Sequence, residues 1–199
     1  MSEQLTAFEP DAPARHPIHL VVTDDLQRNR LTVFFRLFLA LPHLIWVAIW
    51  GIAVFFAVIA ARFVGIFTGR VPDGIHDFIA RWVRYATHVN AYFSLAADPF
   101  PDFGGAPGYP VDVVIAPPQK QSRLTIFFRG LLIIPHFIVL YVLFIAAFFV
   151  YVIAWFAVLF TGKWPVGLRN FAVGLQRWST RLSAYMILLT DKYPPFGFQ

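Results

Sequence analysis

A chain of 199 residues is long enough for one ordinary domain or two small ones. Apolar side chains make up 58% of it, with 23 Phe, 7 Tyr and 6 Trp, and charged residues only 14%; soluble proteins carry about 25% charged residues, and a chain this small has too much surface for its volume to hide so much apolar material. That excludes a disordered chain and argues against a water-soluble enzyme. The zero cysteine count excludes a disulfide framework, a thiolate nucleophile and a Cys-based metal site.

Sixteen Lys and Arg against eleven Asp and Glu give a net charge of +5. The cations flank apolar runs and do not form one patch, so the indicated counter-charge is an anionic lipid headgroup and not nucleic acid. Residues 1–15 form a polar tail whose first fourteen residues lack the apolar core of a signal peptide.

Beyond the tail the chain repeats itself. At an offset of 93 residues, 17–103 align without a gap on 110–196, with more than a third of the positions identical. RLTVFFR meets RLTIFFR, Pro42-His43 meets Pro135-His136, and FTGRVPDG meets FTGKWPVG. Shared composition cannot hold Arg, Pro, His, Thr-Gly and Asp in one register, so the chain is a duplicated unit of about 90 residues, too long for a solenoid period. The first repeat covers 16–106 and the second 109–199.

Each repeat opens with a β-branched stretch, 18–23 or 111–116, that reads as a strand outside the bilayer. A long apolar run follows. In the second repeat every residue from 130 to 160 is uncharged except for His136, which meets the length and composition of a transmembrane helix. Proline divides the run, so the expectation is an amphipathic lead-in over 31–41 and a spanning helix from about 43 to 67, with 136–160 as its counterpart. Gly69 and Gly162 suit the left-handed position beyond a helix end, and Arg70 and Lys163 can neutralise that end and reach phosphates. A second, amphipathic helix follows at about 74–96 and 167–189, with Arg84, Arg177 and Arg181 opposite an apolar face containing Trp82 and Trp178. Such a helix is expected to lie in the interface. A Pro/Phe tail ends each repeat and is expected to cover a strand.

The fold class expected is therefore an all-α integral membrane protein with short extramembrane strands: two tandem copies of strand, kinked transmembrane helix and amphipathic interfacial helix. One crossing per repeat would set the two copies in opposite orientations. The charge count, nine Lys and Arg on the terminal flanks against six in the connection, leans toward both termini being cytoplasmic.

Chemistry is sparse. The six histidines form no HExxH or metal-ligand pattern, no serine sits in GxSxG, and nothing acidic lies within 31–68 or 124–161. No catalytic, cofactor-binding or metal-binding residue is assigned and no cofactor is expected. His43 and His136 read as imidazoles at the membrane edge, bonded to carbonyls freed by the prolines. Arg62 reads as a snorkelling side chain. The candidate contacts to anionic lipid or a partner are Arg36, His43, Arg70, Trp82, Arg84, Arg129, His136, Lys163, Arg177, Trp178 and Arg181.

The set YPV, RL, FFR, IPH, AWFAVLFTGKWPVGL, RW, AY and LLTDKYPPF resembles a bacterial membrane-protein family classed as domain of unknown function 4389, whose unit often occurs in tandem. The likeness covers about nine-tenths of the chain. It fits the second repeat better, since the first has Arg62, Arg81 and Tyr85 where the second has Trp155, Gly174 and Trp178. It implies an integral protein of a bacterial inner membrane and brings no activity to transfer. The leading functional reading is a non-enzymatic membrane-anchored interaction or accessory protein that contacts anionic lipid and a protein partner or a second copy of itself. The alternatives are a component of a small-solute or lipid transport system, which would join His43, Arg62 and His136 in a polar groove, and an enzyme on a lipid or envelope intermediate, which would gather a carboxylate, a histidine and an arginine in a cleft.

Overall fold

The structure, a computed structural model, describes residues 16–198; the polar tail lies outside the described residues. The elements are β1 (Ile18–Val22), α1 (Arg30–Thr68), α2 (Asp73–Phe93), β2 (Val111–Ile115), α3 (Arg123–Leu132), α4 (Ile134–Thr161) and α5 (Val166–Met186).

Local chemistry sets the ends of the long helices identically in both repeats. The Asn29 side chain accepts from the Leu31 and Thr32 N–H groups, and Ser122 accepts from Thr125 N–H, which satisfies donors that a helix start leaves unpaired. At the other end Gly69 and Gly162 take φ of 72° and 73° and return their N–H groups to Gly65 and Val158, the left-handed stop that glycine adopts without steric cost. The threonine of each Thr-Gly pair accepts from the N–H two residues on, at 3.2 Å from Arg70 and from Lys163.

The prolines act differently from the expectation. Pro42 lies inside a continuous 39-residue helix, leaving the Phe38 carbonyl without its usual donor. The second repeat does break, at Ile133, and α4 starts with Pro135 in its first turn, where no N–H is needed. That copy carries Gly130 where the first has Leu37, and glycine weakens the helix on the approach to the break.

The two strands pair with each other, antiparallel, with Leu20 opposite Val113. These two residues are equivalent in the repeat, so a pseudo-twofold axis passes between them through the sheet. The same axis relates the bond from Thr23 N–H to Pro110 O (2.8 Å) to that from Ala116 N–H to Pro17 O (3.1 Å). It also relates the bridge Gln27–Lys163 to Arg70–Lys120.

Each Thr-Gly turn therefore pairs with the segment entering the other repeat's long helix. Arg28 N–H donates to Gly162 O at 3.0 Å and Gln121 N–H to Gly69 O at 2.8 Å. The start of α1 meets the end of α4, where Trp155 Nε1–H donates to Val33 O at 3.2 Å. The end of α1 meets the start of α3, where a Cβ on Gly65 would lie 3.0 Å from Ile126. Hence α1 and α3–α4 run antiparallel.

Each amphipathic helix folds back along its own long helix. The α2 and α5 helices touch near the axis, with Gln176 Nε2–H donating to Thr87 O at 3.0 Å. Ile18 and Val113 of the sheet share a core cluster with Ile79, Val83 and Ala184. The fold is thus sheet, then α2 and α5, then the two long helices. Helix α5 is buried on nearly every side, so it is an internal element and not a free interfacial one.

The long helices bury only a narrow stripe. In α1 it consists of Val33, Arg36, Ala40, His43, Val54, Ala61 and Gly65. Phe38, Ile45, Ile52, Phe56, Phe63 and Phe67 are exposed around the rest. Two stretches, Arg30–Thr68 and Arg123–Thr161, are long and apolar enough to cross a membrane, and their most apolar windows are only 11% and 17% buried. The core helix of a soluble protein would be mostly buried instead.

Candidate functional site

Each repeat buries one arginine and one histidine seven residues apart, on one face of α1 in the first and on either side of the α3–α4 break in the second. Arg36 is 2% exposed. It donates to the carbonyls of Tyr92 (2.9 Å) and Ala97 (3.0 Å) and to the Asp98 carboxylate (2.6 Å), and lies over the Tyr92 ring. Arg129 repeats this with Tyr185 O, Thr190 O (3.1 Å), Asp191 (2.9 Å) and the Tyr185 ring, and adds Gln121 Oε1 at 3.0 Å. Each guanidinium thus caps the carboxyl end of α2 or α5, where the helix dipole favours a cation, and fastens the segment that follows. Both arginines of the FFR motifs face inward and hold their own chain.

About two turns further on, His43 and His136 are fully buried. Their partners are side chains and not the carbonyls freed by proline. His43 Nδ1 is 2.7 Å from the Tyr85 hydroxyl, and His136 Nδ1 accepts from Trp178 Nε1–H at 2.9 Å. Tyr85 and Trp178 are equivalent positions, so the substitution preserves the contact. An indole only donates, so the ring proton of neutral His136 sits on Nε2. Nε2 has no partner in either copy among the described residues.

The Pro/Phe tails, expected over a strand, close these boxes. Phe103 stacks on His43 at 4.3 Å with Phe100 at its edge, and Phe196 stacks on His136 at 3.9 Å with Tyr193 beside it. His16 Nε2 also reaches the second tail at Lys192 O, at 3.4 Å.

The remaining candidates scatter. Trp82 lies against Gly51 and donates to Val47 O at 3.1 Å, tying α2 to α1. Trp178 is buried in the histidine box. Arg177 is half-buried, and Arg181 is buried with its Nε–H 3.4 Å from Ile18 O. Arg70 and Lys163 are exposed at the ends of α1 and α4, Arg70 paired with Asp73 at 2.8 Å. The structure adds two exposed cations that sequence reasoning missed. Arg123 lies near Gly69 and Arg30 near Gly162, each at the carboxyl end of the other repeat's long helix. Their signal was the shared first residue of the RLT motifs.

Arg84 joins a carboxylate and a histidine. Asp112 Oδ1 is 2.9 Å from His88 Nε2 and 3.4 Å from Arg84 Nε. His88 is buried under the Tyr109 ring at 4.7 Å. The Asp112 oxygens also accept from the N–H groups of Val113 (2.7 Å) and Gly108 (3.1 Å). This saturated carboxylate fastens β2 to α2. The equivalent positions in the other half carry His19, Arg177 and Arg181, so the group is not duplicated.

Burial by itself would raise the Asp112 carboxyl, but the bonds from His88, Gly108 and Val113 hold it below the ordinary carboxylate value. Its stabilisation is present above the unfolded pKa and is lost as the pH falls through the depressed folded one. His16 is lowered by burial despite its bonds to Ile18 and Lys192, so folding favours its neutral form. Its share is complete above the unfolded pKa of about 6.5 and declines as the pH falls from there. Acidification from neutrality is expected to loosen β1 and the second tail first, seen as a loss of amide-exchange protection, relative to the intrinsic rate at each pH, at 18–22. Global unfolding should follow only below the carboxylate range. Unchanged protection in His16→Phe across that window, against a loss in the parent, would assign the first step to His16.

A model of the family described as Domain of unknown function (DUF4389) matches residues 30–103 and again 123–197. The chain belongs to that family. Each DUF4389 match starts at the long helix and ends at the aromatic tail that closes the histidine box, so the Arg–Asp clasp and the box both fall within the unit. Comparison with curated proteins and with solved structures gave no match.

Proposed function

We propose that this tandem DUF4389 protein is a non-enzymatic, membrane-embedded interaction or accessory protein. Its two long helices sit in lipid. Arg30, Arg70, Arg123 and Lys163 at their ends contact anionic headgroups, and the polar outer side of α2 is left for a protein partner or a second copy. The observation that carries this reading is the exposure of the long helices: both are apolar on every side, yet pack on the protein along one stripe. So large a contiguous apolar surface is not kept in water.

The transport alternative gains no support. His43 and His136 sit in separate aromatic boxes, and Arg62 reaches Met186 O at 3.4 Å. The carboxylate–histidine–arginine group that an enzyme would need is present, but its histidine is covered and its carboxylate fully engaged.

Extraction and flotation test the proposal. The protein is expected to stay in the membrane pellet through an alkaline carbonate wash and to float with phosphatidylcholine vesicles. Adding phosphatidylglycerol should strengthen flotation, and Arg70→Glu with Lys163→Glu should remove most of that gain, about fivefold per site from roughly 1 kcal/mol per cation near an anionic surface. A compact monomer in a detergent-free supernatant would refute the reading.

A further inference from the structure

We infer that both repeats face the same way and that the long helices lie side by side within one leaflet instead of crossing the bilayer. This rests on the membrane reading above and specifies its geometry. A twofold rotation that exchanges two antiparallel helices must be perpendicular to both. The contacts of Val33 with Trp155 and of Gly65 with Ile126 fix α1 and α3–α4 as such a pair. Their midpoint falls near Val47 and its equivalent, Leu140, in the middle of the apolar stretches.

If the helices crossed, the axis would lie in the bilayer midplane. Everything on the axis would then be at mid-depth. The axis runs through the centre of the sheet, between Leu20 and Val113, and past the contact of Gln176 with Thr87. Beside it are Asp112, His88 and Arg84. A two-stranded sheet has two open edges, and unpaired backbone groups and ion pairs are not sustained in hydrocarbon.

With the axis along the membrane normal this conflict disappears. The sheet, α2 and α5 stand on the water side, and the outer layer of long helices enters the lipid. A 39-residue helix is about 58 Å long, almost twice a hydrocarbon core of about 30 Å, but its diameter of about 10–12 Å fits within one leaflet. Charge agrees with this placement. The exposed cations Arg30 and Lys163 meet at one end of the helix pair, and Arg70, Lys120 and Arg123 at the other. The axis makes these two groups equivalent, so both reach headgroups of the same leaflet. The occupant of the apolar face is thus the acyl layer of one anionic leaflet.

Single cysteines at two pairs of equivalent, exposed positions, Gln27 with Lys120 and Asp77 with Asn170, test this without touching the core. An impermeant maleimide applied to sealed vesicles of each orientation is expected to label all four from the same side, at least about tenfold over the other. Labelling of the members of a pair from opposite sides would overturn the inference and leave the membrane reading standing. Recovery of the labelled protein in the detergent-free supernatant would overturn both. Depth provides a second readout. Spin labels at Leu37, Ile52 and Phe67 should report similar depths in one leaflet, whereas a crossing helix would spread them over about 45 Å of its length.

Discussion

Arg129→Met is expected to destabilise the protein by about 3–5 kcal/mol, the usual loss when one partner of a buried ion pair is removed. The side chain is wholly buried and its donors serve four acceptors: Tyr185 O, Thr190 O, Gln121 and Asp191. Methionine fills most of the volume but leaves those acceptors orphaned, at about 1–3 kcal/mol for each one that water cannot reach. Asp191 is partly exposed, so water offsets its share, and the other three acceptors reach the stated range at the low end of that cost, about 1 kcal/mol each. A melt in detergent or nanodiscs should show a fall on the order of 10 °C. Arg129→Lys should recover little, because an ammonium cannot match the planar fork or its stacking on Tyr185. Arg70→Ala, at an exposed pair with Asp73, should change the melt by less than about 1 kcal/mol. Equal effects from Arg70 and Arg129 would contradict the assignment of Arg129 as the clasp of the second tail.

Aspartate in place of Phe56 or Phe148 is the second large effect. Both phenylalanines are more than 60% exposed near the middle of the long apolar stretches. In water such a change would fall within about 0.5 kcal/mol of neutral and would aid solubility. In lipid it should cost up to about 2.5–3.5 kcal/mol, the value for a charge at the bilayer centre. The expected result is reduced recovery in membranes and a lower melting temperature in nanodiscs, with Phe→Leu at the same sites close to the parent. A variant that is more soluble and as stable would show that these helices face water.

Much of the fold was legible because it is written locally. The strands at 18–23 and 111–116 differ from the observed ones by a residue, and the Thr-Gly stops lie where glycine and proline put them. The break at Pro42 was misread. Proline removes one donor, and a helix with few tertiary constraints on its outer sides absorbs that loss; only the copy with Gly130 parts. The candidate site was half legible. Arg36, Arg129, His43 and His136 were singled out by their shared register, but Asp98, Asp191 and the tail aromatics that engage them are about 60 residues away. No local pattern links residues at that separation.

Sequence by itself determined the duplication, the two long apolar helices with their caps, and the family, because each follows from residues near one another or from self-comparison. Tertiary structure alone decided that the strands of the two repeats pair about a twofold axis, that the FFR arginines point inward, and that the long helices lie antiparallel on one side of the fold. These depend on which surfaces meet across the axis. The same stretch of phenylalanine and isoleucine satisfies hydrophobicity equally well across a bilayer or along it, and the open-edged sheet on the axis, with Asp112, His88 and Arg84 beside it, is what separates the two.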